Sequence, residues 1–129
     1  MLKIAICDDE QDYREIIEQM LNRYIKDTDI EAQIDIFTNP SELIDATENG
    51  TIYDIYLLDI YMPGITGMSF ATELRSRDIK SSVIFLTSST DHALEAFGVN
   101  ATHYLLKPFT LKTFYVVNLK NDTIVAVRG

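Results

Sequence analysis

Only one cysteine, Cys7, stands in 129 residues, and that scarcity closes two routes at once. No intrachain disulfide can form, and no multi-cysteine zinc site can be assembled. Cys7 lies inside an apolar run, where a buried, inert thiol is expected. Long hydrophobic runs are also missing, so no stretch approaches membrane-spanning length. Leu2 to Cys7 is too short for a signal peptide, and Asp8-Asp9-Glu10 follows it at once, so a reducing cytoplasm is the expected setting. Basic residues are few: 11 Lys and Arg face 20 Asp and Glu, giving a net charge of -9 and a pI near 4.5. That field repels nucleic acid and anionic membrane, which argues against direct DNA binding by this segment. It suits a metal cation or a basic partner. Internal repeats, low-complexity tracts and dividing linkers are absent, and the length fits one domain with a single core.

What is present alternates. Leu2 to Cys7 reads as a strand broken by Asp8-Asp9, and Ile16, Ile17, Met20, Leu21, Tyr24 and Ile25 then recur at helical spacing. Ala32 to Phe37 reads as a second strand with Ile34 and Ile36 on one face. Asn39-Pro40-Ser41-Glu42 starts a second helix: Asn39 can cap, Pro40 has no N–H to lose, and Glu42 sits three residues after the cap. That helix should stop at Asn49-Gly50. Ile55 to Leu58 is a short apolar run, β-branched and aromatic in part, that reads as a strand covered on both faces. It ends abruptly in Asp59. Gly64 and Gly67 bracket the next loop, and Met68, Ala71 and Leu74 give a third helix its inner stripe. Val83 to Leu86 predicts a fourth strand, closed by Thr87-Ser88-Ser89-Thr90; Ala93, Leu94 and Phe97 predict a fourth helix; Tyr104 to Leu106 predicts a fifth strand, followed by Lys107-Pro108-Phe109.

Strands alternating with helices imply an α/β fold with a doubly wound parallel sheet of five strands. The tail departs from that rhythm. Tyr115 to Leu119 and Thr123 to Val127 flank Lys120-Asn121-Asp122, which predicts a β-hairpin where a fifth helix would complete the layers. Such an edge could pair with another chain. Residues 1–112 therefore read as one compact unit and 113–129 as an atypical tail.

In a parallel sheet all strand C-termini share one rim, where open α/β sheets bind ligands. Asp8 and Asp9, Asp59, Thr87 and Lys107 all follow strands on that rim. Each alone has a bland reading: first-turn acids favoured by a helix dipole, a strand-exit cap, a helix cap, a solvated lysine. Together they place three mutually repelling carboxylates ready for a hard divalent cation, with a lysine and a hydroxyl to balance a phosphoryl group. Phosphoryl transfer needs mainly positioning and charge neutralisation, which this set supplies.

The combination of Asp8-Asp9-Glu10, DIYMPGITG from Asp59 to Gly67, Thr87-Ser88 and Lys107-Pro108-Phe109 resembles the receiver domain of two-component response regulators, over Leu2 to Phe109. The resemblance implies the flavodoxin-like strand order 2-1-3-4-5. It implies Asp59 as phosphoacceptor for a sensor histidine kinase, and Mg2+ held by Asp9, Asp59 and the main-chain carbonyl of Tyr61, with Asp8 acting through water. Lys107 would bind a phosphoryl oxygen and precede a cis proline, and Thr87 and Tyr104 would form a switch pair whose ring turns inward. Ala96 to Phe109 further resembles receivers of the LytTR class, whose DNA-binding output domain follows. No complete output domain fits in the remaining residues, so the tail would be a true variant or the start of a truncated output domain. The missing fifth helix leaves a homodimer through the usual signalling face open.

Such a module switches and binds; it is not a metabolic enzyme, although it would assist its own phosphorylation and dephosphorylation. Three rivals stand beside it. A magnesium-dependent aspartyl phosphatase of the haloacid-dehalogenase type would need a second Asp where Tyr61 stands. An FMN carrier would need a glycine- and hydroxyl-rich loop where Asp8-Asp9-Glu10 would repel the phosphate. A receiver fold acting only as an interaction scaffold would have no use for intact rim residues. His92 and His103 read as surface or packing histidines.

Overall fold

A computed structural model describes residues 1–62, 64, 66–88, 96, 98, 99, 101 and 103–107, and the backbone of 125–128. The chain runs β1 (Leu2–Cys7), α1 (Gln11–Thr28), β2 (Ala32–Phe37), α2 (Pro40–Glu48), β3 (Ile55–Asp59), α3 (Gly67–Ser76), β4 (Ser82–Thr87), β5 (His103–Leu106) and β6 (Val125–Arg128). The sheet is parallel in every pairing, in the order β2-β1-β3-β4-β5-β6. The expected order of the first five strands is therefore present, and a sixth strand lies beside β5.

Side-chain parity builds the layers. On one face Ile4, Ile6, Ile55, Leu57, Ile84 and Leu86 meet Ile17, Leu21 and Tyr24 of α1. Their neighbours Ala5, Cys7, Tyr56, Leu58, Val83 and Phe85 point the other way, against Leu43 of α2 and Met68, Phe70, Ala71 and Leu74 of α3. A strand with apolar residues at every position is thus one that feeds two cores. All five residues of β3 are buried, and each large aliphatic side chain so removed from water contributes roughly 1.5–3 kcal/mol.

The helix ends follow local chemistry. The Asn39 side chain accepts a hydrogen bond from the Glu42 N–H, with Pro40 in the first turn of α2. Thr66 caps α3 by accepting from the Ser69 N–H, and α1 stops where Asp29 turns left-handed, at φ 54°. Phe70, outside the expected stripe of α3, is buried beside Tyr56, with ring centroids 5.6 Å apart. Ile36 shares a face with Ile34 as expected but is 38% exposed, because β2 is an edge strand.

Among the described residues no helix is long and apolar enough to cross a membrane. The fourth-helix residues Ala93, Leu94 and Phe97, the Lys107–Pro108 bond and the first arm of the expected hairpin lie outside the described residues.

Candidate functional site

Strand register brings the candidate residues together. Cys7 pairs with Leu58, so the next residue of each chain, Asp8 and Asp59, emerges side by side. Asp59 pairs with Leu86 and Thr87 with Leu106, which sets Thr87 and then Lys107 one step further along the same rim. The Lys107 N–H donates to the Thr87 carbonyl at 2.6 Å, tying the two strand ends.

The centre of the site is an ammonium among acids. Lys107 Nζ lies 2.9 Å from Asp8 Oδ2, 3.1 Å from Glu10 Oε1 and 3.3 Å from Asp59 Oδ2. The contact with Asp8 is the shortest of the three, and both side chains are buried, so Asp8 Oδ2 faces the ammonium as an ion pair. The other oxygen, Oδ1, accepts from the Glu10 N–H at 2.9 Å, and Arg14 holds the Asp8 carbonyl at 2.8 Å. Asp59 Oδ1 accepts from the Tyr61 N–H at 3.1 Å, leaving Oδ2 toward Lys107.

One lysine cannot neutralise this rim. Burial, and then the charge of Asp8, push the Asp59 carboxyl up to about 7, against the opposing pull of Lys107 and of the Tyr61 N–H. Burial pulls the Lys107 ammonium down, but Asp8, Asp59 and Glu10 outweigh it and leave it above the ordinary lysine value. Carboxylate oxygens of Asp8, Asp9, Glu10 and Asp59 lie within 4.8 Å of one another. An oxygen-only donor set of four acids sharing one ammonium fits a hard cation such as Mg2+. Asp8 and Asp59 are buried and Asp9 and Glu10 exposed, so such an ion would sit between core and solvent.

The remaining residues frame this centre. Thr87 is fully buried at the end of β4. Tyr61 is half-exposed on the rim of a cleft of about 320 Å³ that Glu10, Tyr13, Asp59, Ser88 and Lys107 also line. Tyr104 is only 2% exposed and meets Phe85 edge-on, with ring centroids 6.4 Å apart. Gly67 explains the spacing of the Asp59–Gly67 motif: its N–H donates to the Ile60 carbonyl, and a Cβ there would collide with the Asp59 carbonyl oxygen. Beneath the site the Cys7 thiol, buried and pushed up to about 12 by that burial and by nearby acids, faces Met62 Sδ at 3.5 Å.

The expected residues Asp8, Asp9, Asp59, Tyr61, Thr87 and Lys107 all belong to this rim. Two partners were not anticipated as site residues. Glu10 reaches Lys107 through its carboxylate, and Tyr13 lies beneath the same ammonium, which sits 4.1 Å from its ring centroid. Spacing signals neither contact. They depend on α1 folding back over the rim, although an acid and an aromatic in the first helical turn after Asp8-Asp9 gave the opportunity.

This geometry defines a doubly wound α/β domain with a cluster of acids and one lysine at the C-terminal ends of its strands. Residues 4–117 match the response regulator receiver domain family, and the chain belongs to that family. It is 36% identical over 107 residues to the positive alginate biosynthesis regulatory protein of Pseudomonas aeruginosa, covering 83% of this chain and 42% of that protein. It is 31% identical to the transcriptional regulatory protein NatR of Bacillus subtilis, across 100% of this chain and 54% of that one. The sensory transduction protein LytT of the same organism is 30% identical, with 92% and 50% covered. The chain thus spans about half the length of the curated relatives it matches. Among solved structures, the response regulatory domain of mrkE from Klebsiella pneumoniae shares the fold, with a TM-score of 0.77, 24% identity and coverage of 92% and 91%. Response regulator TrrA of Thermotoga maritima, solved in complex with Mg(2+)-BeF, gives a TM-score of 0.73 at 29% identity, with 90% and 95% covered.

Proposed function

We propose that Asp59 is the phosphoacceptor of this receiver and takes a phosphoryl group from the phosphohistidine of a sensor histidine kinase. Asp59 attacks phosphorus, the P–N bond breaks, the imidazole leaves, and an acyl phosphate remains on the carboxylate. The observation that carries this reading is the Lys107 ammonium, 3.3 Å from Asp59 Oδ2 within a group of acids it cannot balance alone. Asp8, Asp9, Asp59 and the Tyr61 carbonyl would hold Mg2+, which supplies positive charge for the phosphoryl oxygens. Lys107 takes one such oxygen, moving from carboxylate to phosphoryl. The Thr87 hydroxyl takes another and couples the site to Tyr104. The same groups would assist phosphate loss to water.

The receiver unit is residues 1–112, with 113–129 leading toward an output domain of the LytTR DNA-binding type, in a cytoplasmic protein. The lengths of the curated relatives support an output domain. Intact-mass measurement after incubation with acetyl phosphate and Mg2+ tests the acceptor. Wild type gains one hydroxylamine-labile phosphate and Asp59→Ala gains none; equal labelling of both moves the acceptor elsewhere.

A further inference from the structure

Among the described residues Lys107 has four neighbours at its charged end: Asp8, Glu10, Asp59 and the ring of Tyr13. Three are anions that an arriving phosphoryl group must displace or share. Asp8 and Asp59 are also among the acids that would hold Mg2+, and holding it would leave them less to offer the ammonium. Glu10, on an exposed side chain, holds Lys107 only by competing with phosphoryl oxygens for the same N–H groups. The fourth neighbour differs in kind. An aromatic face attracts a cation through its quadrupole, within about 6 Å of the centroid, and carries no net charge to repel phosphate. At 4.1 Å the Tyr13 ring is well inside that range, and it forms part of the cleft wall next to Asp59. A lysine stem has four freely rotating carbons, so a fixed surface beneath the ammonium decides how often it faces the reacting atoms.

We infer that Tyr13 is a positioning residue for phosphoryl transfer: its ring holds the Lys107 ammonium over Asp59 while the anionic partners of that lysine are exchanged for metal and phosphate. The inference rests on the receiver reading of Asp59 and adds a residue to it. The position is set by helix geometry, because Tyr13 lies one turn beyond Glu10 at the start of α1, whose Arg14 anchors the Asp8 carbonyl.

The test compares labelling rates with acetyl phosphate and Mg2+ for wild type, Tyr13→Phe, Tyr13→Leu, Lys107→Ala and the Tyr13→Leu/Lys107→Ala double variant. Tyr13→Phe keeps the ring and stays near the wild-type rate. Tyr13→Leu slows labelling about five-fold, the scale of one cation–π contact, and adds no further slowing when Lys107 is already Ala. A Tyr13→Leu rate equal to wild type, or equal slowing in both backgrounds, overturns the inference, the latter by showing a role independent of Lys107. NMR of the Lys107 side chain gives a readout that needs no phosphate. Its Cε protons are ring-shifted in wild type and Tyr13→Phe and lose that shift in Tyr13→Leu. Absence of the shift in wild type overturns the placement of the ring. If wild type takes no phosphate on Asp59 the phosphoacceptor reading fails, and a retained ring shift would still support Tyr13 as the holder of Lys107.

Discussion

The two rims of the sheet carry similar residues and treat them oppositely. At the rim where the strands begin, Tyr53 donates to Asp35 at 2.6 Å, the Lys3 N–H donates to Asp54 at 2.8 Å, and Lys3 Nζ lies 5.5 Å from the Tyr53 ring centroid. The Ser81 hydroxyl donates to the Tyr53 carbonyl. The acids named there each meet a donor, and Asp35 also accepts from Gln33 at 3.3 Å. At the rim where the strands end, a lysine again lies against a tyrosine, yet three carboxylates must share one ammonium. The first rim pairs its polar groups among themselves, whereas the second gathers more negative charge than its lysine balances.

Substitutions can break this contrast. The largest effect is expected from Gly67→Ala, whose new methyl would strike the Asp59 carbonyl oxygen. The loop must shift, costing about 3 kcal/mol or more of unfolding free energy, since backbone cannot swing aside as a side chain does. Urea melts measure that loss, and acetyl phosphate labelling should fall with it. Asp59→Asn should act in the opposite direction. The folded Asp59 carboxyl keeps its proton up to about pH 7, against an ordinary 3.8. Folding therefore binds a proton between those values, so wild-type stability falls as pH rises through that window, and the deficit is full above about 7. The variant removes the deficit, so it should be about 1–3 kcal/mol more stable than wild type at pH 8 and nearly equal at pH 4. Added Mg2+ at pH 8 should narrow the gap by stabilising wild type. The smallest effect sharpens the comparison from the complete rim. Tyr53→Phe removes a satisfied hydrogen bond to Asp35 and should cost about 1 kcal/mol in thermal melts. It should leave the labelling rate unchanged.

How much could be read beforehand depended on range. Short-range signals were plain: Asn39-Pro40 opens α2 because cap and proline act within one turn, and the run Ile55 to Leu58 is a strand because every position is apolar. The acids and the lysine were legible because strand ends in a parallel sheet share a rim, whatever the details of packing. Contacts that needed α1 to lie in its final place were not legible. Tyr13 under Lys107, and Glu10 beside it, depend on the helix's orientation over the sheet. Phe70 escaped for a similar reason: the single row Met68, Ala71 and Leu74 inferred for α3 was too narrow for a helix packed against both Tyr56 and its neighbours. The parallel pairing of Val125–Arg128 with β5 was hidden too, since strand character in the tail says nothing of direction.

One consequence of the side-chain parity concerns how news of chemistry at Asp59 would spread. Leu57 and Leu58, the last two apolar residues before it, belong to different cores, one under α1 and the other under α2 and α3. A tug on that carboxylate therefore loads both layers of the molecule at once, as a rod clamped between two plates moves neither alone. Any partner gripping the outside of either layer holds a surface mechanically joined to the same five buried residues.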